Sequence, residues 1–413
     1  MQGDPPMAAT YIRRSLEPVL RRAAREFPIV ILTGPRQSGK TTLLRRLFGR
    51  RYRYVAMDAP DYRAAAASDP RRFMEMHPAP VILDEVQHVP ELLPYIKERV
   101  DADRGRYGQY VLSGSQNLLL LGRVTESLAG RAAIHHLLPL SYREAAGAPG
   151  RPLAWEGGRG ARSPVGHTAG RLWKSFLRGQ YPEVVAHPRR DAAAWHASYV
   201  ATYLERDIRT LRQVGDLSQF QSFLQTMAAR SAQLLNLTDV ARDIGVAVNT
   251  VKAWTTILEA THQIVILRPY FVSIGKRLTK TPKVYFTDVG TLCYLVGLRD
   301  AEHAAAGPMA GAIMETAVLS EIVKGHRHRG REPRVHFWRT SAGAEIDFLV
   351  EDQGRLVPIE VKASATPRPA MAAQISAFRR DLGDNAAPGY VVHPGEVRLP
   401  LGHDATALPF AKM

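Results

Sequence analysis

The stretch Gly34-Pro35-Arg36-Gln37-Ser38-Gly39-Lys40-Thr41 decides the fold of the first part of the chain. It fits the P-loop pattern G-x-x-x-x-G-K-[ST], in which backbone N–H groups and a lysine surround the phosphates of a nucleotide. The apolar, β-branched residues 29–33 precede it and predict a buried parallel strand, and residues 41–48 have helical periodicity. Because the motif requires this order of strand, loop and helix, we expect an α/β domain that binds ATP.

Each position of this loop has an expected role. Gly34 and Gly39 allow backbone conformations and close approaches that a Cβ would hinder. Lys40 is expected at the β- and γ-phosphates, and the Thr41 hydroxyl is expected on Mg²⁺. The predicted nucleotide-binding residues of the loop are Gly34, Pro35, Arg36, Gln37, Ser38, Gly39, Lys40, Thr41 and Thr42.

A second apolar run, at residues 81–83, ends in two carboxylates, Asp84 and Glu85. Downstream of a P-loop, this is the Walker B pattern. We expect Asp84 to hold Mg²⁺ through its water shell and Glu85 to polarise the attacking water as the general base. The alternative is a pair of ordinary loop carboxylates.

Two further parts of the chain could face the nucleotide. Ser115, Gln116 and Asn117 lie at the carboxyl end of another predicted strand, where ligands of α/β sheets bind, and one of them, preferably Ser115 or Gln116, could sense the γ-phosphate. An ordinary exit from the strand is the alternative. Arg131 could act as an arginine finger in its own subunit or a neighbouring one, and a surface salt bridge is equally open.

The composition limits the class of protein. The chain has 413 residues, enough for two or three domains, and a net charge of +16. This charge favours a polyanionic partner, most simply DNA, over a merely basic surface. A single cysteine, Cys293, excludes a disulfide within the chain, and no apolar run approaches the length of a membrane span. We therefore expect a cytoplasmic protein without a membrane partner.

The chain divides into four predicted segments. Residues 1–146 form the P-loop domain, and residues 147–170, rich in Gly, Pro, Ala and Arg, form a flexible loop or linker. Residues 171–300 form a helical region with a helix-turn-helix pattern between residues 237 and 258, and residues 301–413 form a second α/β domain. The fold class is therefore α/β at both ends, with a helical or winged-helix region between.

The helix-turn-helix could belong to a winged helix that binds DNA. In that case Asn249, Thr250 and Lys252 would enter the major groove, and a basic turn would supply phosphate contacts. A protein–protein or lid module is equally open. The basic residues of the turn are Lys276, Arg277, Lys280 and Lys283.

Acidic residues stand inside apolar, alternating runs near the C-terminus. Asp347 and Glu360 lie in neighbouring predicted strands, and Lys362 is two positions after Glu360 and so on the same face. Two carboxylates beside a lysine can hold Mg²⁺ and activate a water against a phosphodiester. Charged residues on the solvent face of an antiparallel sheet are the alternative, but it leaves unexplained why the acids interrupt apolar runs.

The chain resembles the predicted AAA+-like ATPases of bacteria and archaea that carry a C-terminal domain of the PD-(D/E)XK nuclease type. The resemblance implies ATP hydrolysis and assembly into a homo-oligomer through the ATPase domains. It also implies Asp347 and Glu360 as metal ligands, Lys362 as the catalytic lysine and Glu315 as an acidic residue of the preceding helix. The segments that carry it are 34–41, 82–85, 127–131, 203–207, 282–288, 345–347 and 359–362.

Together these patterns predict a Mg²⁺-dependent ATPase that binds DNA and carries a metal-dependent, nuclease-like C-terminal domain. The alternative is an ATP-switched regulator that binds DNA or protein and whose nuclease fold is not catalytic. The complete set of Asp347, Glu360 and Lys362 favours the first. A chaperone-like ATPase acting on protein is disfavoured by the basic charge.

Overall fold

The computed structural model of the chain describes residues 11–114, 128–156, 168–203, 217–270 and 280–413. The predicted positions Ser115, Gln116, Asn117, Lys276 and Arg277 lie outside these residues. No helix in the described part of the chain is long and apolar enough to cross a bilayer.

The P-loop domain is built on a parallel sheet, as predicted. Its strands follow the order β2-β3-β4-β1-β5. Because β4 lies between β1 and β3, the loop after β1 and the acids after β3 share one edge of the sheet, two strands apart. The strands are β1 (Ile29–Thr33), β2 (Arg53–Ala56), β3 (Val81–Asp84), β4 (Tyr110–Gly114) and β5 (Ala132–His136).

Helices cover both faces of this sheet because successive residues of β1 point in opposite directions. Val30 and Leu32 pack under α1 (Glu17–Glu26) and α2 (Lys40–Phe48). Ile29 and Ile31 pack under α3 (Pro60–Ser68), α4 (Pro70–Met76) and α5 (Leu92–Ala102). Fully burying each such aliphatic side chain stabilises the fold by about 1.5–3 kcal/mol.

The central region is mostly helical. Helices α11 and α12 form the predicted helix-turn-helix, and between them Gly245 adopts a left-handed conformation at φ 70°. A small antiparallel sheet of order β6-β8-β7 lies beside them. The elements are α6 (Tyr142–Ala145), α7 (Ala169–Arg178), α8 (Pro182–Ala186), α9 (Ala192–Tyr203), α10 (Leu217–Ala229), β6 (Gln233–Leu234), α11 (Leu237–Ile244), α12 (Val248–Ala260), β7 (Ile264–Leu267) and β8 (Lys283–Phe286).

The C-terminal region has a mixed sheet of order β13-β14-β12-β11-β10-β9. Strands β10 and β11, the neighbouring strands predicted to carry Asp347 and Glu360, form a hairpin whose turn residues Gln353 and Gly354 both have positive φ. The elements are α13 (Val289–Leu295), α14 (Ala301–Ala306), α15 (Ala310–Arg327), β9 (Val335–Arg339), β10 (Glu345–Asp352), β11 (Arg355–Val361), α16 (Ala373–Leu382), β12 (Gly389–His393), β13 (Leu399–Pro400) and β14 (Ala405–Pro409).

The central and C-terminal regions share one apolar core. Helix α15 packs against β8 of the central region and against β11 of the C-terminal sheet. The described part of the predicted linker also joins this core, through the buried Leu153 and Trp155. Leu153 and Trp155 are thus packed, whereas Gly147, Gly150 and Pro152 of the same segment are exposed.

Candidate functional site

The P-loop joins β1 to α2 through backbone that favours glycine. Gly34 has φ 151° and Gly39 has φ 92°, and Gln37 between them also has a positive φ. A Cβ on Gly34 would lie 2.1 Å from the carbonyl oxygen of Leu137. Glycine is thus favoured at both positions by conformation, and at Gly34 also by lack of space for a side chain.

Lys40 is buried at the start of α2. Its Nζ donates hydrogen bonds to the carbonyl oxygens of Gly34 and Pro35, each at 3.0 Å. The structure therefore holds the ammonium against the loop itself, beside the backbone N–H groups that begin the helix.

Asp84 lies at the centre of a hydroxyl cluster. Its Oδ2 accepts hydrogen bonds from Thr41 Oγ1 at 2.7 Å and from Tyr54 OH at 2.6 Å. Its Oδ1 accepts from Ser113 Oγ and, at 3.1 Å, from the backbone N–H of Glu85. Thr41 and Asp84, predicted to serve Mg²⁺ together, are thus in direct contact. A hydroxyl beside a carboxylate is an oxygen donor set of the kind that Mg²⁺ uses.

Tyr54 and Ser113 belong to this cluster although sequence reasoning did not find them. Burial, reinforced by the hydrogen bond to Asp84, raises the pKa of Tyr54, so the phenol stays a donor. The parallel pairing of β2 with β3 could have indicated Tyr54, because it pairs with Ile82, two residues before Asp84.

Glu85 has φ 54°, a left-handed conformation that is uncommon for glutamate. Its carboxylate accepts a hydrogen bond from the side-chain amide of Gln87. Glu85 and Lys40 line the same cleft, so the structure brings the predicted base to the P-loop. Strained backbone of this kind is often found at functional sites.

The cleft beside the P-loop has a volume of about 720 Å³, within the range of small-molecule sites. One wall is formed by the P-loop and by Tyr11 and Arg14. The other includes Pro182 and Glu183 of α8, together with His187. The central region therefore closes one side of the predicted nucleotide site.

A buried ionic network connects the P-loop to the C-terminal region. Arg14 Nη1 donates to the carbonyl oxygen of Ser38 at 2.8 Å, and its Nε lies 3.3 Å from Glu144. His328, just beyond α15, lies 3.0 Å from the same carboxylate, and its Nε2 accepts from the N–H of Leu138 at 3.2 Å. Although burial acts in the opposite direction, Arg14 and His328 hold the pKa of Glu144 below its usual range.

Arg131 does not lie near the P-loop of its own chain. It precedes β5, so it stands at the sheet edge opposite the P-loop, and its guanidinium forms a two-bond ion pair with Asp101 at 2.7 and 2.9 Å. A role as arginine finger within the same subunit does not fit this position. The ion pair with Asp101 is the salt bridge that the sequence left open as the alternative. Of the two arginine-finger roles, only contact with a neighbouring subunit's nucleotide stays compatible with this position.

Asp347, Glu360 and Lys362 share one groove of about 590 Å³, as predicted, and we call it the carboxylate groove. Asp347 Oδ2 accepts from the N–H of Val361 at 2.8 Å, and Lys362 Nζ lies 2.7 Å from Glu360. Burial and then the negative charge of Asp347 raise the pKa of Glu360 to about 8. Glu315, named by the resemblance, also lines this groove.

The sequence context of Lys283 predicted a contact with DNA phosphates. The structure contradicts this prediction, because Lys283 does not lie on the surface. It is buried, and its Nζ lies 3.0 Å from Glu315 and 2.6 Å from Glu345. The reason is that β8 pairs inside the small central sheet and faces α15, so the side chain enters the carboxylate groove. Tyr285, two residues along the same strand, donates to Glu315 at 2.5 Å.

In the carboxylate groove, Glu315 and Glu345 are therefore paired with Lys283, and Glu360 is paired with Lys362. Within the described ranges, no three or more His, Cys, Asp and Glu side chains are spaced to hold a metal ion together. Asp347 and Glu360 have the donor chemistry of a hard cation, but the structure does not place a ready-made metal site around them.

Comparison with known proteins identifies the domains. Residues 26–146 match an AAA domain, residues 170–302 match a domain of unknown function (DUF8612), and residues 310–413 match another (DUF4143). An uncharacterized protein of Mycobacterium tuberculosis is 32% identical over 400 residues, covering 96% of this chain and 83% of its own. An uncharacterized protein of Mycobacterium bovis matches with the same figures.

The chain belongs to the family of these mycobacterial proteins. Its N-terminal domain is an AAA+-like ATPase domain, as the P-loop and Walker B patterns predict. The family matches do not assign a nuclease to residues 310–413, so that part of the resemblance stays a prediction.

Two solved structures are more distantly similar. The Walker-type ATPase of Pyrococcus abyssi is 16% identical, with a TM-score of 0.44 over 68% of this chain and 94% of that one. A single-residue variant of RuvB from Thermotoga maritima is also 16% identical, with a TM-score of 0.28 over 60% of this chain and 88% of that one. Neither similarity is close enough to add to the fold assignment.

Proposed function

We propose that this protein is a Mg²⁺-dependent ATPase whose hydrolytic site consists of Lys40, Thr41, Asp84 and Glu85. The observation that supports this most directly is the contact between Thr41 and Asp84, beside a cleft that Lys40 and Glu85 also line. These groups lie at the carboxyl ends of β1 and β3, which are at the same edge of the parallel sheet.

Each of the four side chains has a role that follows from its charge or its hydroxyl group. Lys40 binds phosphate oxygens and stabilises the negative charge that develops on them. Glu85 orients a water molecule and accepts its proton. Thr41 and Asp84 would hold Mg²⁺, which when bound neutralises phosphate charge. Tyr54 and Ser113 keep the Asp84 carboxylate in place.

The test is ATP turnover measured with and without Mg²⁺ in the wild type and in Glu85→Gln. The variant should bind ATP with near-normal affinity and hydrolyse it about 10²–10⁴-fold more slowly, because an amide cannot accept the proton. Glu91→Gln, an exposed glutamate six residues away, is the matched control and should retain turnover. Normal turnover in Glu85→Gln would refute the assigned base.

We further propose that the protein acts on DNA and that the carboxylate groove cuts it with a divalent metal. The support is the convergence of Asp347, Glu360 and Lys362, in which Glu360 is buried, Asp347 is half-buried and Lys362 stands beside Glu360. Asp347 and Glu360 would hold the metal, and Lys362 would stabilise the attacking water or the developing charge.

A second candidate function has its own support. The pairing of Lys283 with Glu315 and Glu345 supplies cationic charge to the groove without a metal. In that case the C-terminal fold is not catalytic, and the protein is an ATP-switched regulator that binds DNA or protein.

One experiment separates these two functions. Linear and circular DNA are incubated with wild type, Lys362→Met and Asp381→Asn in Mg²⁺ or Mn²⁺, with and without ATP. The nuclease proposal expects cleavage by the wild type and by Asp381→Asn, an exposed acid of the same region, and none by Lys362→Met. If the wild type leaves the DNA intact under every condition but still hydrolyses ATP, the regulator is favoured.

We also propose that the ATPase works as a homo-oligomer in which Arg131 reaches a neighbour's nucleotide. This role is compatible with its position away from its own P-loop. The test is to mix two variants that are each inactive alone. The Arg131→Ala subunits retain Lys40, Thr41, Asp84 and Glu85, and the Glu85→Gln subunits retain Arg131. Turnover should recover in the mixture if Arg131 acts between subunits. A mixture no more active than its two components would contradict the proposal.

A further inference from the structure

The first helices of the P-loop domain carry an unusual density of arginine. Between residues 13 and 53 the chain has twelve basic and two acidic residues, so this stretch supplies ten of its sixteen net positive charges. Three of the basic residues, Arg14, Arg36 and Lys40, line the nucleotide cleft. The other nine are exposed arginines: Arg13, Arg21, Arg22, Arg25, Arg45, Arg46, Arg50, Arg51 and Arg53.

Eight of these residues, the arginine face, lie on adjoining surfaces. The ninth, Arg53, is not included, because its Nη1 donates to the carbonyl oxygen of Met76 at the end of α4, on the other side of the sheet. Helices α1 and α2 pack together on one side of the sheet through Leu20 and Leu44, which turns their arginines outward. The end of α1 also meets the start of β2, because a Cβ on Gly108 would lie 2.6 Å from the carbonyl oxygen of Ala24 and 2.7 Å from the hydroxyl of Tyr52.

The arginine face is not neutralised by the protein. In the described part of the chain, none of its eight guanidinium groups forms an ion pair with a carboxylate. Of the two acids in the stretch, Glu17 accepts hydrogen bonds from Tyr11 and from the N–H of Arg14. Arg45 and Arg46 lie over the rings of Tyr54 and Tyr11, at 4.3 and 5.2 Å, which orients them without cancelling their charge.

We propose that the arginine face binds the phosphate backbone of duplex DNA. Guanidinium groups form two-bond contacts with phosphate, and a duplex carries one charge per about 1.7 Å of axis. Helix α1, with ten residues, is about 15 Å long and would run beside several phosphates.

The chemistry of the face favours a duplex over other polyanions. Single-stranded nucleic acid is usually held by exposed aromatic rings, and neither α1 nor α2 exposes one. A helix that inserts into a membrane surface would expose apolar side chains, but the apolar sides of both helices are buried against the sheet, which leaves only electrostatic contact with acidic lipid.

This inference rests on the DNA part of the proposed function and changes where that DNA binds. The sequence indicated Lys283 and its neighbours, whereas Lys283 is buried among carboxylates. The arginine face instead includes α2, the helix that begins at the P-loop. Helix α1 also contacts the C-terminal region, because a Cβ on Gly330 would lie 2.7 Å from Val19 Cγ1.

The test compares two triple variants of the full chain that lose the same charge. Arg21→Gln/Arg22→Gln/Arg25→Gln changes the arginine face. Arg63→Gln/Arg72→Gln/Arg104→Gln changes exposed arginines on the opposite side of the sheet. Affinity for a duplex of about 30 base pairs is measured by fluorescence anisotropy from about 0.05 to 0.3 M salt. ATP turnover without DNA should be unchanged in the first triple variant, which shows that it folds.

We expect the arginine-face variant to bind duplex about 10- to 100-fold more weakly than the wild type at about 0.15 M salt, with the salt slope reduced by about three. The control should differ from the wild type by less than about two-fold. Equal weakening in both variants would place the DNA elsewhere. A wild type that binds no duplex would overturn both this inference and the DNA part of the proposed function. Tighter binding to single strands or to phosphatidylserine vesicles would overturn the choice of duplex.

Discussion

Lys283 of the central region lies 2.6 Å from Glu345 of the C-terminal sheet and 3.0 Å from Glu315 of α15. Burial opposes its charge, but these carboxylates more than compensate and raise the pKa of Lys283 above its usual value. The ammonium therefore joins two regions of the chain through a buried ion pair. Removing one partner of such a pair leaves an uncompensated charge inside the protein.

Lys283→Met should therefore destabilise the protein by about 3–5 kcal/mol, measured as the free energy of unfolding in urea. The double variant Lys283→Met/Glu315→Gln should recover part of this loss, because it removes the unpaired charge as well. Lys280→Met, an exposed lysine three residues earlier, should change stability by less than about 0.5 kcal/mol. Equal stabilities for Lys283→Met and Lys280→Met would show that the buried pair contributes nothing.

Tyr54→Phe should reduce ATP turnover several-fold and raise the Mg²⁺ concentration needed for half-maximal activity. The reason is that Asp84 loses one of the hydroxyl donors that fix its carboxylate, while Thr41 and Ser113 remain. Tyr52→Phe is the matched control, because it also loses a partly buried hydrogen bond, to Gly108, but one away from Asp84. If both variants show the same Mg²⁺ dependence as the wild type, Tyr54 does not position Asp84.

Arg14→Met should cost about 3–5 kcal/mol of stability and weaken ATP binding. Glu144 would remain buried without its guanidinium, and the carbonyl oxygen of Ser38 would lose the donor that holds the P-loop. Arg13→Gln removes an exposed arginine next to it and is the control. Unfolding in urea and equilibrium binding of a fluorescent ATP analogue measure the two effects. Unchanged nucleotide affinity in a folded Arg14→Met would exclude a role in shaping the loop.

His136 should make the protein less stable in acid. Its Nδ1 lies 2.8 Å from Thr33 Oγ1, directly before the P-loop, and its ring packs on His262 at 5.2 Å. Burial, assisted by the charge of Arg327, lowers the pKa of His136 to about 3. Because the folded pKa lies below the unfolded value of about 6.5, this contribution to stability is complete above about pH 6.5 and is lost as the pH falls toward about 3.

Urea unfolding between about pH 8 and pH 4 should therefore show a flatter pH dependence in His136→Asn than in the wild type. The difference in slope should approach about 1.4 kcal/mol per pH unit below about pH 6. His403→Asn, at an exposed histidine, should follow the wild-type curve. Parallel curves for His136→Asn and the wild type would show that protonation of His136 does not oppose folding.

The ATPase site could be predicted from sequence because its parts are local. The P-loop positions follow one another, and strand β3 carries Asp84 and Glu85 at its end. Parallel strands then bring these groups to one edge of the sheet. The groups that steady Asp84 were missed, because Tyr54 and Ser113 reach it only through strand order.

The carboxylate groove was predicted only in part for the same reason. Asp347, Glu360 and Lys362 belong to one hairpin and its continuation, so their spacing was informative. Lys283 comes from a different sheet, and in the sequence it looks like one more residue of a basic turn. Arg131 was also ambiguous, because its distance from the P-loop along the chain does not tell on which sheet edge it lies.

Helix α15 spans 18 residues, about 27 Å, with Glu315 near its first turn and His328 directly after its last. A hydrogen-bonded helix behaves nearly as a rod over this length, so a displacement at His328 along the helix axis would be passed to Glu315 with little loss. A rearrangement of the P-loop that moved Glu144 and His328 along this axis relative to the C-terminal sheet would therefore change the distance between Glu315 and Asp347. By thermodynamic reciprocity, whatever occupies the carboxylate groove would then alter the affinity for nucleotide by the same factor.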